Sequence, residues 1–210
     1  MKLTIFGATG GTGKQLVRQA LDAGHAVTAV VRDPARLPIS HASLEVVTAD
    51  VTDAGALRPL VEGRDAVLSS LGAGSRSGAG IATAGTTAIL TAMAESGVRR
   101  FVAVSAMPVG PVPPGESLFF RGVRRVLLTA LKDVYADLAR MEAEIARSDT
   151  DWTVLWPPQL TDGPLTGAYA REIGANVAKR HKISRADLAH AMLAALDDPA
   201  TVRRPVGVGS

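Results

Sequence analysis

The chain is 210 residues long, 47% hydrophobic and 20% charged, which is enough apolar material for one domain, 1–210, with a sizeable core. Its 23 Lys and Arg against 20 Asp and Glu leave a formal charge of +3, too small and too scattered for a nucleic-acid footprint. There is no cysteine, so disulfides, thiolate catalysis and cysteine-ligated zinc are excluded.

The N-terminus opens straight into a strand pattern, KLTIF, without the charged start and apolar core of a signal peptide. No run approaches the roughly 18 apolar residues of a membrane span, so a soluble cytoplasmic protein is expected. A helix over 13–23 follows, with Leu16, Val17, Ala20 and Leu21 at helical spacing. AVTAVV and LEVVTA read as strands, 54–61 as a helix, AVLSSL as a strand and 82–96 as a longer helix. RFVAVSA is a strand, 118–147 holds helical stretches, and WTVLW is a strand. The chain closes on a helix over 185–197, striped by Leu188, Met192, Leu193 and Leu196, and on PVGVG, a candidate seventh strand.

Strand and helix in alternation imply a parallel sheet covered on both faces. The near-continuous hydrophobicity of the strands agrees, because a strand buried on both sides loses its polar alternation. The expected fold is α/β: a Rossmann-like doubly wound parallel sheet of six to seven strands with helices on both faces. Irregular stretches over 72–80, GAGSRSGAG, and 107–117, MPVGPVPPGES, follow strands on the carboxyl side of the sheet, where such folds bind ligands.

The stretch IFGATGGTGKQ carries the first functional signal. A P-loop needs Gly, four residues and then Gly-Lys-Ser/Thr; here Ala8 stands in place of the first glycine and Gln15 in place of the hydroxyl. The spacing Gly7, Gly10, Gly13 fits a dinucleotide-binding turn instead. Gly7 allows the tight turn, Gly10 a close approach of backbone to pyrophosphate, and Gly13 close packing of helix on strand, with the helix amides aimed at the anion. An ordinary glycine-rich strand-to-helix turn is the alternative.

At the end of the second strand an NAD-specific site usually carries Asp or Glu for the ribose hydroxyls. VVRDPAR has Arg32 there and Arg36 a turn later, cations that suit a ribose 2′-phosphate. This predicts NADP(H) as cofactor, with Asp33 one residue away as the competing ribose ligand, and plain surface charge as the alternative role for both arginines. Asp50 and Val51, ending the third strand, are expected at the adenine, and Leu71-Gly72, ending the fourth, under the nicotinamide ribose.

Taken together, FGATGGTG, VVRDPARLP, ADVTD, LGAG, VSA, PP after the sixth strand, DGPLTGAY and ISRADLAHAML resemble the atypical short-chain reductases with an NAD(P)H-binding fold. Within them the chain is most similar to the biliverdin reductase B type, the NADPH-dependent flavin reductases, over essentially its whole length. The resemblance implies reduction of flavins, and of linear tetrapyrroles or quinones, by NADPH. It also implies cofactor contacts at Gly7, Thr9, Gly10, Gly11, Thr12, Gly13, Arg32, Arg36, Asp50, Val51, Leu71 and Gly72, with Ser105 of VSA matching the serine near the nicotinamide. Gln159 stands where the mammalian reductase has histidine, which makes flavin a better expectation than tetrapyrrole.

Short-chain dehydrogenases that reduce simple carbonyls use Tyr-x-x-x-Lys to exchange a proton. Here Tyr135 and Tyr169 are followed at that spacing by Ala139 and Ile173, so the pair is missing. A conjugated acceptor such as FMN, riboflavin, a quinone or a bilin spreads the incoming charge and takes its proton from solvent. Ser105 then orients the nicotinamide carboxamide or bonds the acceptor, or else serves only as a strand-end hydroxyl. Met107 and Pro108 form one candidate wall of the acceptor site, and Trp156, Pro158 and Gln159 another, with a core role open for Trp156. His25, His41, His181 and His190 show no metal-ligand spacing, and no metal is expected. A non-catalytic NADP(H)-binding redox sensor is the runner-up reading. A nucleotide-sugar epimerase, which needs the tyrosine-lysine pair and a larger C-terminal region, is the third.

Overall fold

The computed structural model of the chain describes residues 1–72, 80–113 and 115–210. Among the described residues there are ten strands and six α-helices, with β1 Lys2–Phe6, α1 Gly11–Asp22, β2 Ala26–Val31, β3 Leu44–Thr48, α2 Ala54–Val61, β4 Ala66–Ser69, α3 Ile81–Ser96 and β5 Arg100–Val104 in the first half. The second half adds α4 Leu118–Ala130, α5 Lys132–Arg147, β6 Asp151–Trp156, β7 Gln159–Thr161, β8 Ala170–Ile173, β9 Lys182–Ser184, α6 Arg185–Leu196 and β10 Arg204–Gly209. The expected stretch over 73–79 lies outside the described residues, as does residue 114.

The main sheet runs in the order β3-β2-β1-β4-β5-β6-β10-β8. Every neighbouring pair from β3 to β10 is parallel, and β8 alone runs antiparallel, against β10. This is the expected doubly wound α/β sheet. The order reverses between β1 and β4, which opens the crevice where such sheets bind ligands.

Alternation along the central strands splits the core in two. Leu3, Ile5, Leu68 and Val102 face α1 and α6, whereas Phe6, Val67, Phe101 and Ala103 face α2, α3 and α5. Leu3, Ile5, Phe6, Leu68 and Phe101 are fully buried, and each such side chain stabilises the fold by about 1.5–3 kcal/mol. Helix α6 is covered nearly all round, burying Ala186, Leu188, Ala189, Met192 and Leu196. It closes on Arg100, which donates to the carbonyls of Ala195 and Leu196 at the helix C-terminus, where a cation is favoured by the unpaired carbonyls.

The sheet has one strand more than the six to seven expected. PVGVG supplies the anticipated seventh as β10, while β8, AREI, is the addition. It lies at the sheet edge with three of its four residues exposed, so its polar composition hides it from any apolar pattern. A small separate pair, β7 with β9, arises from three-residue segments after the sixth strand and before α6.

Candidate dinucleotide site

The turn after β1 is shaped by what its glycines lack. Gly7 adopts φ +74°, and a Cβ there would lie 2.8 Å from the Ser70 carbonyl group. A Cβ on Gly13 would stand 2.1 Å from Gly7 O, and one on Gly10 3.3 Å from the same oxygen. The backbone closes through Gly10 N donating to Gly7 O at 3.0 Å. Gly10 is also the N-cap of α1 and offers no side-chain cap, so the amides of Gly11, Thr12 and Gly13 are left for an external acceptor. The starts of α6 and α3, by contrast, are closed by side chains of this chain. Ser184 caps α6, and the Asp137 carboxylate reaches from α5 to accept from the N–H groups of Gly80, Ala82 and Thr83 at the start of α3.

Arg32 follows β2 directly, and Arg36 ends a short 3-10 turn over Pro34–Arg36. Both side chains are exposed, and among the described residues neither guanidinium makes a hydrogen bond or ion pair. Asp33, the competing acid, is exposed and faces its own turn: its Oδ1 accepts from Ala35 N at 3.0 Å and caps that 3-10 turn. Asp50 binds Thr52 through the backbone N–H and the hydroxyl, at 2.9 and 2.7 Å. Those bonds, helped by the charge of Arg32, hold its carboxyl below the usual range. Val51 is buried, and Leu71 packs beside it against Gly85 of α3, where a Cβ would meet the two side chains at 3.3 and 3.0 Å. Gly72 is exposed, with nothing within 4 Å of where its Cβ would be. Thr9 is partly buried in the turn and Thr12 buried in the first turn of α1.

The second half of the crest lies beyond β5 and β6. Ser105 N donates to Leu155 O at 2.9 Å, and its hydroxyl oxygen is buried without a partner at hydrogen-bond geometry. Met107 N donates to Pro157 O, linking the segments after the two strands. The 107–111 segment is pinned from both sides: Asn176 Nδ2 donates to Met107 O and Pro111 O, and Arg124 of α4 to Pro108 O and Gly110 O. Pro158 is partly buried, and Gln159 is exposed and pairs through its backbone with His181. Trp156 is only 6% exposed. Gly110 lies on its ring, where a Cβ would come within 2.6 Å, and its indole N–H donates to Glu142 Oε1 at 2.9 Å. The indole is thus a core group, the role left open for it, and not a free wall.

Three groups at this crest escaped sequence reasoning. Arg185, the first residue of α6, lies across the start of α1, its Cδ 2.5 Å from a Cβ built on Gly11, and pairs with Asp162 at 2.6 Å. Asn176 is buried but stands in an irregular segment with no pattern to flag it. Glu142, on α5, reads in sequence as one more charge of an amphipathic helix. In the fold its carboxyl is pushed up by burial, against the opposing pull of Ser105 and Trp156. Tyr135, also on α5, is pushed up by burial, and the hydroxyl of Tyr169 bonds His190 Nδ1 at 2.8 Å.

The sequence pattern of the NAD(P)H-binding family matches residues 7–199. The chain belongs to that family. Among its relatives, an uncharacterised chloroplastic protein of Arabidopsis thaliana is 32% identical over 81% of this chain, which spans 63% of that protein's length. An uncharacterised sugar epimerase of Bacillus subtilis is 26% identical, covering 97% of this chain and 92% of its own. A short-chain dehydrogenase/reductase of Veillonella parvula solved in complex with NADP superposes with a TM-score of 0.81, at 21% identity, over 100% of this chain and 94% of that one. At that identity the likeness is one of fold. Among the described residues no cluster of acids and histidines could hold a metal, and no helix is long and apolar enough to cross a membrane.

Proposed function

We propose that this member of the NAD(P)H-binding family is an NADPH-dependent reductase of conjugated acceptors, of the biliverdin reductase B or flavin reductase type. FMN, riboflavin and quinones are its expected substrates, with linear tetrapyrroles behind them. The observation that carries the choice of NADPH is at the end of β2: among the described residues the guanidinium groups of Arg32 and Arg36 make no hydrogen bond or ion pair, and Asp33, the competing ribose ligand, gives one carboxylate oxygen to its own turn. A phosphate monoester there meets two cations and a donor geometry that binds it bidentately.

The turn at Gly7 to Gly13 binds the pyrophosphate through uncapped amides, Val51 gives the adenine an apolar seat, and Leu71-Gly72 pass under the nicotinamide ribose. Bound NADPH supplies the hydride. Ser105, at the end of β5, orients the reacting partners on the crest. The 107–111 segment, held by Asn176 and Arg124, keeps water from that side and fixes the distance between donor and acceptor, which is where such an enzyme gains most of its rate.

The test is consumption of NADPH and of NADH in the presence of FMN, riboflavin, a soluble quinone and biliverdin. Turnover with flavin and quinone, and NADPH strongly preferred, is the expected result. Equal use of the two nucleotides refutes the cofactor assignment. Tight NADP(H) binding with no turnover of any acceptor returns the chain to the redox-sensor reading.

A further inference from the structure

Helix α5 carries Tyr135 with Ala139 four residues after it, so it offers no tyrosine-lysine pair at the required spacing. It offers a carboxyl group instead. Glu142 projects from α5 toward the ends of β5 and β6, where the Trp156 indole fixes Oε1 at 2.9 Å. The Ser105 hydroxyl stands next to the same carboxyl. Ser105 lies beside the end of β6, its N–H on Leu155 O at 2.9 Å, and favours the ionised form of that carboxyl, while its oxygen is enclosed with no partner at ordinary hydrogen-bond geometry among the described residues, in a residue only 6% exposed. A buried hydroxyl left unsatisfied is destabilising. At the mouth of a reaction site such a hydroxyl is available to an incoming group.

The geometry points to a two-residue proton path in which Ser105 is the catalytic residue and Glu142 the positioning residue behind it. The inference rests on the reductase reading above. As hydride leaves NADPH and its two electrons reduce the acceptor, the Ser105 hydroxyl gives its proton to the acceptor's nitrogen or oxygen. Glu142 returns a proton to Ser105 from its carboxyl, and water from the crest reprotonates Glu142. The nicotinamide is oxidised, the acceptor gains one hydride and one proton, and solvent loses one proton. Ser105 and Glu142 end as they began.

The surroundings suit an acid that must hold its proton. The 107–113 segment carries no titratable side chain. Arg124 of α4 is committed to the Pro108 and Gly110 carbonyls. On α5, Asp137 is committed to the start of α3, and Tyr135, two turns before Glu142, is itself pushed toward its neutral form by burial. β5 and β6 contribute Ser105 and Trp156 as the polar groups that act on Glu142. Burial raises the Glu142 pKa, and the bonded Trp156 indole and the nearby Ser105 hydroxyl pull it back. Supply of the proton therefore falls as pH rises through that raised value.

The decisive experiment compares wild type, Glu142→Gln, Glu142→Asp and Ser105→Ala. Gln keeps an oxygen for the Trp156 indole while removing the proton, so the fold is retained. The side-chain carboxyl of Glu142 is titrated by NMR in the ligand-free chain labelled with carbon-13 at glutamate, with Glu142→Gln assigning its resonance. We expect titration above the ordinary glutamate value of about 4.3, moving further up in Ser105→Ala because a stabilising donor is gone. In NADPH-flavin turnover, Glu142→Gln should lower kcat about 100-fold, the lower end for loss of a general acid, with the KM for NADPH unchanged. It should also abolish the alkaline fall of kcat, and Glu142→Asp should recover part of the rate and of that fall. Turnover accompanied by a Glu142 titration indifferent to Ser105, or by a Glu142→Gln pH profile like that of wild type, overturns the proton path alone. Absence of wild-type turnover with every acceptor overturns the reductase reading, and the path with it.

Discussion

Arg32 and Asp33 are neighbours with opposite preferences, and the fold decides between them through one hydrogen bond. Asp33 gives an oxygen to Ala35 N, which aims its charge at the 3-10 turn and leaves Arg32 at the strand end with no bonded partner among the described residues. Replacing Arg32 removes a charge-assisted hydrogen bond to a phosphate, about 1.5–3 kcal/mol, or roughly ten- to a hundredfold in Kd. It also strips Asp50 of a compensating cation, and an uncompensated carboxylate repels phosphate in the same direction. Arg32→Ala should therefore weaken NADPH by one to two orders of magnitude (~10- to 100-fold) while leaving NADH nearly unchanged. Quenching of protein fluorescence by each nucleotide measures both constants; equal weakening of the two shows that Arg32 acts through the fold and not through the phosphate.

Elements with a pattern of their own were legible before any coordinates, and elements that borrow their stability were not. β1, β2, β4, β5 and β6 are apolar runs, α1 and α6 carry stripes, and the Gly7-Gly10-Gly13 spacing needs only one strand and one helix to make sense. β8 has three exposed residues of four and exists because β10 presents a free edge. Glu142 is invisible for a related reason: in KDVYADLARMEAEIAR it is one of several acids, and only the packing of α5 over Trp156 removes it from water. Arg100 shows the same dependence at the level of packing, since it opens β5 but serves the far end of α6. Arg100→Ala leaves the Ala195 and Leu196 carbonyls, and the Thr153 hydroxyl, without that donor. Unsatisfied buried acceptors cost about 1–3 kcal/mol, so a drop of that size in urea unfolding free energy is expected. Loss of helical signal confined to the C-terminal turns, with no change in the global midpoint, counts against the assignment.

Across the whole molecule, the α3 and α6 ends are held by carboxylates whose ionised state the fold requires. Asp137 is 1% exposed and Asp187 2%. Burial alone would raise both. Asp137 instead accepts from Gly80, Ala82 and Thr83, and Asp187 from Thr166 and Gly167, and these bonds outweigh burial and hold both carboxyls below their ordinary value. A carboxyl with a depressed folded pKa binds its proton more readily in the unfolded chain. Its contribution is thus complete above the unfolded value of about 3.9 and is lost as pH falls through the folded one. Glu142 has the opposite sign: with its folded pKa raised, its contribution is present below about 4.3 and fades as pH rises through the folded value. Among the described residues five carboxyls are depressed, those of Asp50, Asp137, Asp151, Asp187 and Asp198, against the one raised at Glu142, which predicts a chain that loses stability in acid, with the steepest loss below about pH 4. Asp187→Asn should be less stable than wild type at neutral pH, because an amide NH2 now faces the donors of Thr166 or Gly167, and should show a shallower fall between pH 5 and pH 3. Urea midpoints of the two proteins across that range decide the matter, and parallel acid limbs would mean that Asp187 is not among the groups whose protonation unfolds the chain.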